Sequence, residues 1–260
     1  IEKGNLHRYN LATEQLEIRH FPHRLAVVLE GQNGKLILGL DRMLVRYDWE
    51  TEEIEEICAV EEDLSLNRFN DGKVDPKGCI WIGTLSTLFT QGAGSLYRVG
   101  SNSQPKVQLK NLTISNGMVW KADQKTFYFI DTPTKKIQEF AFAPESGEIK
   151  FRRIAVEIPE GLGFPDGMCI DQEDMLWVAH YAGSGVYRWN PKTGELLNKI
   201  ELPVPPVTSC CFGGENLDQM LITTAQENLS PEDLKKYPQS GDVFLVKLEV
   251  GGVESHRASF

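Results

Sequence analysis

A short unit, a strand followed by a polar turn and a second strand, recurs six times along this chain at spacings of roughly 40 to 57 residues. Its copies are Leu6-His7-Arg8-Tyr9, Leu44-Val45-Arg46-Tyr47, Ser95-Leu96-Tyr97-Arg98, Ile137-Gln138-Glu139-Phe140, Val186-Tyr187-Arg188-Trp189 and Val243-Phe244-Leu245-Val246. A second unit, a polar turn leading into an apolar strand, precedes five of them. It is seen at Asn33–Leu38, Lys77–Ile82, Gln124–Phe129, Glu173–Val178 and Leu217–Ile222. β-Branched and aromatic residues alternate between these turns, which favours strands over helices. Short strands repeated at this period predict an all-β, six-bladed β-propeller, in which neighbouring blades cover each other's faces.

Six copies of one unit against five of the other predict an incomplete first blade. The hairpin over residues 6–21 has no inner hairpin ahead of it, so about half a blade is expected to be missing from the N-terminus; the alternative is a naturally shorter ring with an atypical first blade. The chain over residues 1–260 is expected to be one propeller domain. A single helix is predicted at Ser230–Lys236, where a serine cap, a proline, acids first and lysines last follow one another.

Charge and cysteine usage narrow the function. The formal net charge of −10 argues against nucleic acid or an anionic membrane as partner, since both require a basic face. The acidic run Glu52, Glu53, Glu55, Glu56, Glu61, Glu62 and Asp63 reads as a solvated surface. The five cysteines show no C-x-x-C spacing and read as small buried hydrophobes in a reducing compartment. Cys210 and Cys211 are both expected to be buried. No long apolar run or leader pattern occurs, and a cytoplasmic location without a membrane span is expected.

No H-E-x-x-H, P-loop or G-x-S-x-G motif is present. His180 reads as a hydrogen-bonded histidine at a strand end. The polar residues beside glycines are more informative: Asn70-Asp71-Gly72 after Arg68, Asn116-Gly117 and Asp166-Gly167, each expected at a strand corner. Taken singly, each is an ordinary turn former. Their recurrence in successive blades places amide and carboxylate oxygens together, a donor set suited to a hard divalent cation. Arg68 suits an oxygen-rich ligand.

On these segments the chain closely resembles the regucalcin/gluconolactonase family. The match is carried by Asn67–Pro76 (N-R-F-N-D-G-K-V-D-P), Ile114–Gly117 (I-S-N-G), Pro165–Asp171 (P-D-G-M-C-I-D) and Thr208–Gly214 (T-S-C-C-F-G-G). The resemblance implies a six-bladed propeller that opens sugar lactones such as gluconolactone with one divalent metal, Ca, Zn, Mn or Mg. By motif match, Asn116 and Asp166 would be metal ligands, and Arg68 and Asn70 would bind substrate. Asp166 would also activate the water. Two departures stand out. The family's glutamate ligand in an E-G-P or E-S-P motif is absent, and the loop over residues 83–91 carries no acid. The alternatives are a non-catalytic calcium-binding or scaffold propeller, or a hydrolase of a different lactone.

Overall fold

Twenty-one strands and one short helix follow one another in a computed structural model that describes residues 1–260. The first sheet is the two-stranded hairpin β1 (Asn5–Asn10) and β2 (Gln15–His20). Next come β3 (Leu25–Glu30), β4 (Leu36–Leu40), β5 (Met43–Tyr47) and β6 (Ile54–Ala59), in that order across a four-stranded sheet. The third sheet holds β7 (Asn67–Val74), β8 (Ile80–Ser86), β9 (Gly94–Val99) and β10 (Pro105–Leu112). The fourth holds β11 (Ser115–Trp120), β12 (Thr126–Asp131), β13 (Lys136–Ala143) and β14 (Glu148–Glu157). The fifth holds β15 (Phe164–Ile170), β16 (Leu176–Tyr181), β17 (Gly185–Trp189) and β18 (Leu196–Glu201). The sixth has three strands, β19 (Val207–Gly213), β20 (Gln219–Thr224) and β21 (Val243–Lys247).

All pairs are antiparallel between chain neighbours, so each sheet is a plain meander, the blade of an all-β propeller. Five sheets have the three or four strands of a blade; the expected sixth is present only as the β1–β2 hairpin. All six copies of the first repeat unit form strands, namely β1, β5, β9, β13, β17 and β21, and the five copies of the second form β4, β8, β12, β16 and β20. The helix α1 (Pro231–Lys236) lies between β20 and β21. The Ser230 side chain accepts from the Asp233 N–H while the Asp233 carboxylate accepts from the Ser230 N–H, a reciprocal cap.

The chain divides into two compact units, residues 1–114 with 256–260, and residues 115–255. In the first, one core gathers Ile37, Leu44, Phe69, Ile80 and Ile82, and another Leu38, Val45, Tyr47 and Trp49. The C-terminal segment belongs here: the Ala258 N–H donates to Glu30 O and that of Ser259 to Gly78 O. In the second unit, Ile130, Val178, Tyr187 and Trp189 form one core, and Trp177, Val186, Cys210 and Ile222 another.

A fully buried aspartate closes the turn after two of the first strands. Asp75, after β7, accepts from the Lys77 and Cys79 N–H groups on Oδ1, and from Trp81 Nε1 (2.9 Å) and Arg98 Nε (2.8 Å) on Oδ2. Asp171, after β15, repeats this with the Glu173 and Met175 N–H groups, Trp177 Nε1 (2.9 Å) and Arg188 Nε (2.8 Å). The shared pattern is an aspartate six residues before a tryptophan. In the fourth sheet Lys121 stands at the ladder step of Asp75 and Asp171, and Asp123 closes only its own turn, accepting from the Lys125 and Thr126 N–H groups and the Thr126 hydroxyl. In the complete copies one carboxylate satisfies four donors. Removing it strands a buried indole N–H and takes a partner from a half-buried guanidinium. Asp75→Ala and Asp171→Ala are each expected to lower unfolding stability by about 3–5 kcal/mol, read as a fall in the urea midpoint. A loss below about 1 kcal/mol would show that the latch is not needed.

Candidate functional site

The glycine-flanked motifs lie inside the first strand of each sheet, at a shift of register, and not at strand corners. Phe69 pairs with Thr84 and Gly72 with Ile82, so Asn70 and Asp71 face Gly83 alone. Ser115 pairs with Asp131 and Met118 with Phe129, leaving Asn116 and Gly117 opposite Ile130. Pro165 pairs with His180 and Met168 with Val178, leaving Asp166 and Gly167 opposite Ala179. Val207 pairs with Thr224 and Ser209 with Thr223, so Thr208 is extra, and Ala26 is extra in the same way in β3. These are β-bulges, which interrupt the ladder and re-aim a side chain. The same step of the ladder therefore carries Ala26, Asn70, Asn116, Asp166 and Thr208 in five successive sheets.

In the first unit the bulge of β7 brings Arg68 and Asn70 together. Arg68 is 7% exposed; its Nη1 donates to Phe69 O (2.8 Å) and to Asn70 Oδ1 (3.0 Å). Its Nε lies 3.6 Å from the exposed Glu2 carboxylate. With its oxygen engaged by Arg68, Asn70 turns the NH₂ end of its amide away from that bond. Phe69 is fully buried in the core. Asp71 accepts from the Gly72 N–H, and burial pushes its carboxyl upward against the opposing effects of Lys73 and that bond.

Glu61 is not the solvated surface acid expected of its run. Its Oε2 accepts from Asn67 Nδ2 (2.8 Å), and its Oε1 from Thr84 Oγ1 (3.0 Å) and the Tyr97 hydroxyl (2.9 Å). Asn67 also donates to Ala93 O. These bonds anchor the start of β7, one residue before Arg68. The Tyr97 phenol is pushed up to about 12 by burial and by Glu61.

In the second unit β11 and β15 approach without an intervening side chain. A Cβ on Gly117 would fall 2.5 Å from Asp166 O, and one on Gly167 would fall 2.7 Å from Ser209 Cβ. Only glycine permits this approach, and it sets β11, β15 and β19 side by side. Asn116 is buried, and its Nδ2 donates to Thr132 Oγ1 (3.0 Å), whose hydroxyl donates to Pro165 O (2.8 Å). Thr132 thus ties Asn116 to the residue before Asp166. It also fixes the amide, so that Oδ1 is the end left as an acceptor. Thr132 opens a short 3-10 turn at Thr132–Thr134 after β12, and Pro133 marks its start in the sequence. No group of three or more His, Cys, Asp or Glu side chains is gathered for a metal ion. Asn116 and Asp166 provide two hard oxygen donors, which fits part of a Ca²⁺ or Mg²⁺ shell, in which other oxygen ligands complete the set.

His180 on β16 sits opposite Pro165 and is fully buried. Nδ1 pairs with Leu162 O at 2.7 Å, so the neutral ring carries its proton there, and Nε2 is buried with no partner. The ring stacks on Tyr187, with centroids 4.0 Å apart. The strand-end histidine therefore holds the segment that leads into β15. Cys211 departs from expectation: it is exposed, whereas Cys210 is buried with its Sγ 3.5 Å from that of Cys169. Strand alternation requires this, since neighbours on β19 face opposite ways.

Burial lowers the His180 pKa from 6.5 to about 4, only partly offset by the bond to Leu162. The unfolded chain takes up this proton near 6.5 and the folded chain only near 4. Stability is therefore fully present above 6.5, falls as pH drops from 6.5 to about 4, and loses nothing more from this group below that. The loss amounts to something on the order of 3 kcal/mol. His180→Asn, whose amide N–H can replace the bond to Leu162, should flatten the stability profile across this window. Denaturant midpoints measured at stepped pH check this, and an unchanged slope would assign the pH dependence elsewhere.

With this geometry in view, the likeness to known proteins is consistent along the whole chain. The model of the SMP-30/Gluconolactonase/LRE-like region matches residues 1–226. Regucalcin of Macaca fascicularis is 35% identical over 251 residues, covering 95% of this chain and 84% of the relative. A solved luciferin-regenerating enzyme superposes with a TM-score of 0.91 at 29% identity, covering 99% of this chain and 89% of the other. The calcium-binding protein regucalcin of Agrobacterium tumefaciens str. C58 superposes with a TM-score of 0.94 at 25% identity, covering 99% and 87%. The chain belongs to the SMP-30/gluconolactonase/LRE-like family.

Proposed function

We propose that this protein is a metal-dependent lactonase that opens sugar lactones such as gluconolactone. The observation that carries it is the recurrence of Asn70, Asn116 and Asp166 at one bulge step of three sheets, within a family whose description includes gluconolactonase. Bulges expose a polar side chain at a chosen point without disturbing the apolar alternation of the strand. A scaffold without a ligand has no use for amide and carboxylate groups at that step.

Asn116 Oδ1 and the Asp166 carboxylate would hold one divalent cation, of which Ca²⁺, Mg²⁺, Mn²⁺ and Zn²⁺ all suit such donors. When bound, that cation supplies polarisation of the lactone carbonyl. Arg68 and the Asn70 amide N–H groups donate to the hydroxyl or carbonyl oxygens of the substrate. The guanidinium is already oriented by Phe69 O and Asn70, so little ordering is required on binding. Asp166 takes a proton from the attacking water as its oxygen bonds to the carbonyl carbon. The C–O bond of the ring then breaks, the ring oxygen regains a proton, and the product is the open hydroxy acid. The β1–β2 hairpin is read as the outer half of a sixth blade.

A second reading is calcium binding without turnover, in which the same oxygen donors hold a cation and no water is activated. Two variants separate them. Asp166→Ala should abolish both cation binding, read by titration calorimetry with Ca²⁺ and Mn²⁺, and lactone opening, read by acid release in a pH-stat. Unchanged cation affinity would remove Asp166 from the site. Arg68→Ala should lower kcat/KM about tenfold or more while cation affinity stays the same, as expected for loss of a charge-assisted hydrogen bond. If the parent protein with saturating cation opens no sugar lactone above the spontaneous rate, the enzyme reading fails and the binding reading takes its place.

A further inference from the structure

Four of the five bulge positions carry a polar side chain, and Thr208 is the one among them without a role in the proposed chemistry. Resting on the lactonase reading, we propose that the paired hydroxyls of Thr208 and Thr223 form a recognition subsite for a substrate hydroxyl group, beside Asp166. Three observations within the second unit support it. First, β19 stands to β15 as β15 stands to β11. The missing Cβ of Gly117 lets β11 meet the Asp166 backbone, and that of Gly167 lets β15 meet Ser209. Thr208 precedes Ser209 as Asp166 precedes Gly167, so the bulge of β19 continues the row that holds Asn116 and Asp166.

Second, Thr208 is the residue with no ladder partner, because Val207 pairs with Thr224 and Ser209 with Thr223. Its side chain is partly exposed, as are those of Thr223 and Asp166. A β-branched residue with one face in water and no opposing strand residue contributes little to sheet packing. Third, Thr208 Oγ1 and Thr223 Oγ1 are 2.8 Å apart. Two hydroxyls carry two protons and share one in the bond between them. The second proton remains to be donated, and lone pairs on both oxygens remain to accept. Such a pair can serve a substrate hydroxyl as donor and acceptor at once, which neither Asn116 nor Asp166 can do while engaged with a cation. The pair is uncharged, so it selects for hydroxylation and not for charge.

The alternative is a cross-strand hydroxyl bond that only supports the sheet. The experiment compares gluconolactone with δ-valerolactone, which has the same ring and no hydroxyl groups. In Thr208→Val the ratio of kcat/KM for gluconolactone to that for δ-valerolactone should fall about fivefold, the equivalent of one neutral hydrogen bond. The change should appear in KM more than in kcat. Thr208→Ser should restore the ratio, and Thr223→Val should lower it as Thr208→Val does. A structural role would depress both substrates together and leave the ratio unchanged, which would overturn the subsite. A titration with the lactam analogue of gluconolactone, which is not hydrolysed, tests it independently of turnover. The parent should bind the lactam about fivefold more tightly than Thr208→Val. Equal affinities, or no binding by the parent, would overturn the subsite. If the parent opens no lactone but the lactam titration shows the expected loss, the lactonase reading falls and the subsite stands.

Discussion

The extra residue in the first strand of each of the five larger sheets is the constraint on which the candidate site depends. A regular strand sends alternate side chains to opposite faces, and in this protein those faces are filled by apolar cores. A polar residue in such a strand faces burial or a break in pattern. The bulge resolves this by setting two residues against one, which takes Asn70, Asn116 and Asp166 out of the alternation. Gly117 and Gly167 then allow neighbouring strands to approach until backbone meets backbone. A side chain at either position would separate the strands and spread the polar groups they carry.

The two ends of the first strands serve different purposes. In β7 and β15 the bulge lies in the first half, and the buried aspartate follows the last residue. Asp75 and Asp171 each collect two backbone N–H groups, an indole and a guanidinium, so every polar group drawn into the interior there has a partner. The bulge end carries the polar groups of the candidate site, where Arg68 bonds Asn70 and Thr132 bonds Asn116. Around the bulge ends, Glu61, Thr132 and His180 tie down the segments that carry Arg68, Asn116 and Asp166.

Several of these supports were not legible in the sequence, for a common reason. Glu61 sits in an acidic run and reads as surface, yet its three donors come from Asn67, Thr84 and Tyr97, up to 36 residues away. Pro133 marks the turn that Thr132 opens, but the importance of Thr132 lies in bonds to Asn116 and Pro165. Thr208 has no glycine beside it, so the bulge of β19 lacked the mark that made the other three visible. Cys211 was grouped with Cys210 by composition, although alternation along β19 turns it to solvent.

Local chemistry in the sequence was enough for the all-β class, for the strands formed by both repeat units, and for α1, because alternation, turn residues and caps act over a few neighbouring positions. Asn70, Asn116 and Asp166 were singled out as candidates by recurrence near glycines and, with Arg68, by the family resemblance, since taken singly each is an ordinary turn former. Tertiary structure alone decided that these residues sit on bulges and not at corners, and which hydrogen bonds orient them. The count of six repeat units against five had already marked the first hairpin as incomplete, and the structure has it as a two-stranded sheet with five sheets of three or four strands. Register and side-chain partnership depend on which distant strands meet. That is settled by the packing of whole sheets, where a shift of one residue reverses every side chain, and no short stretch of sequence encodes it.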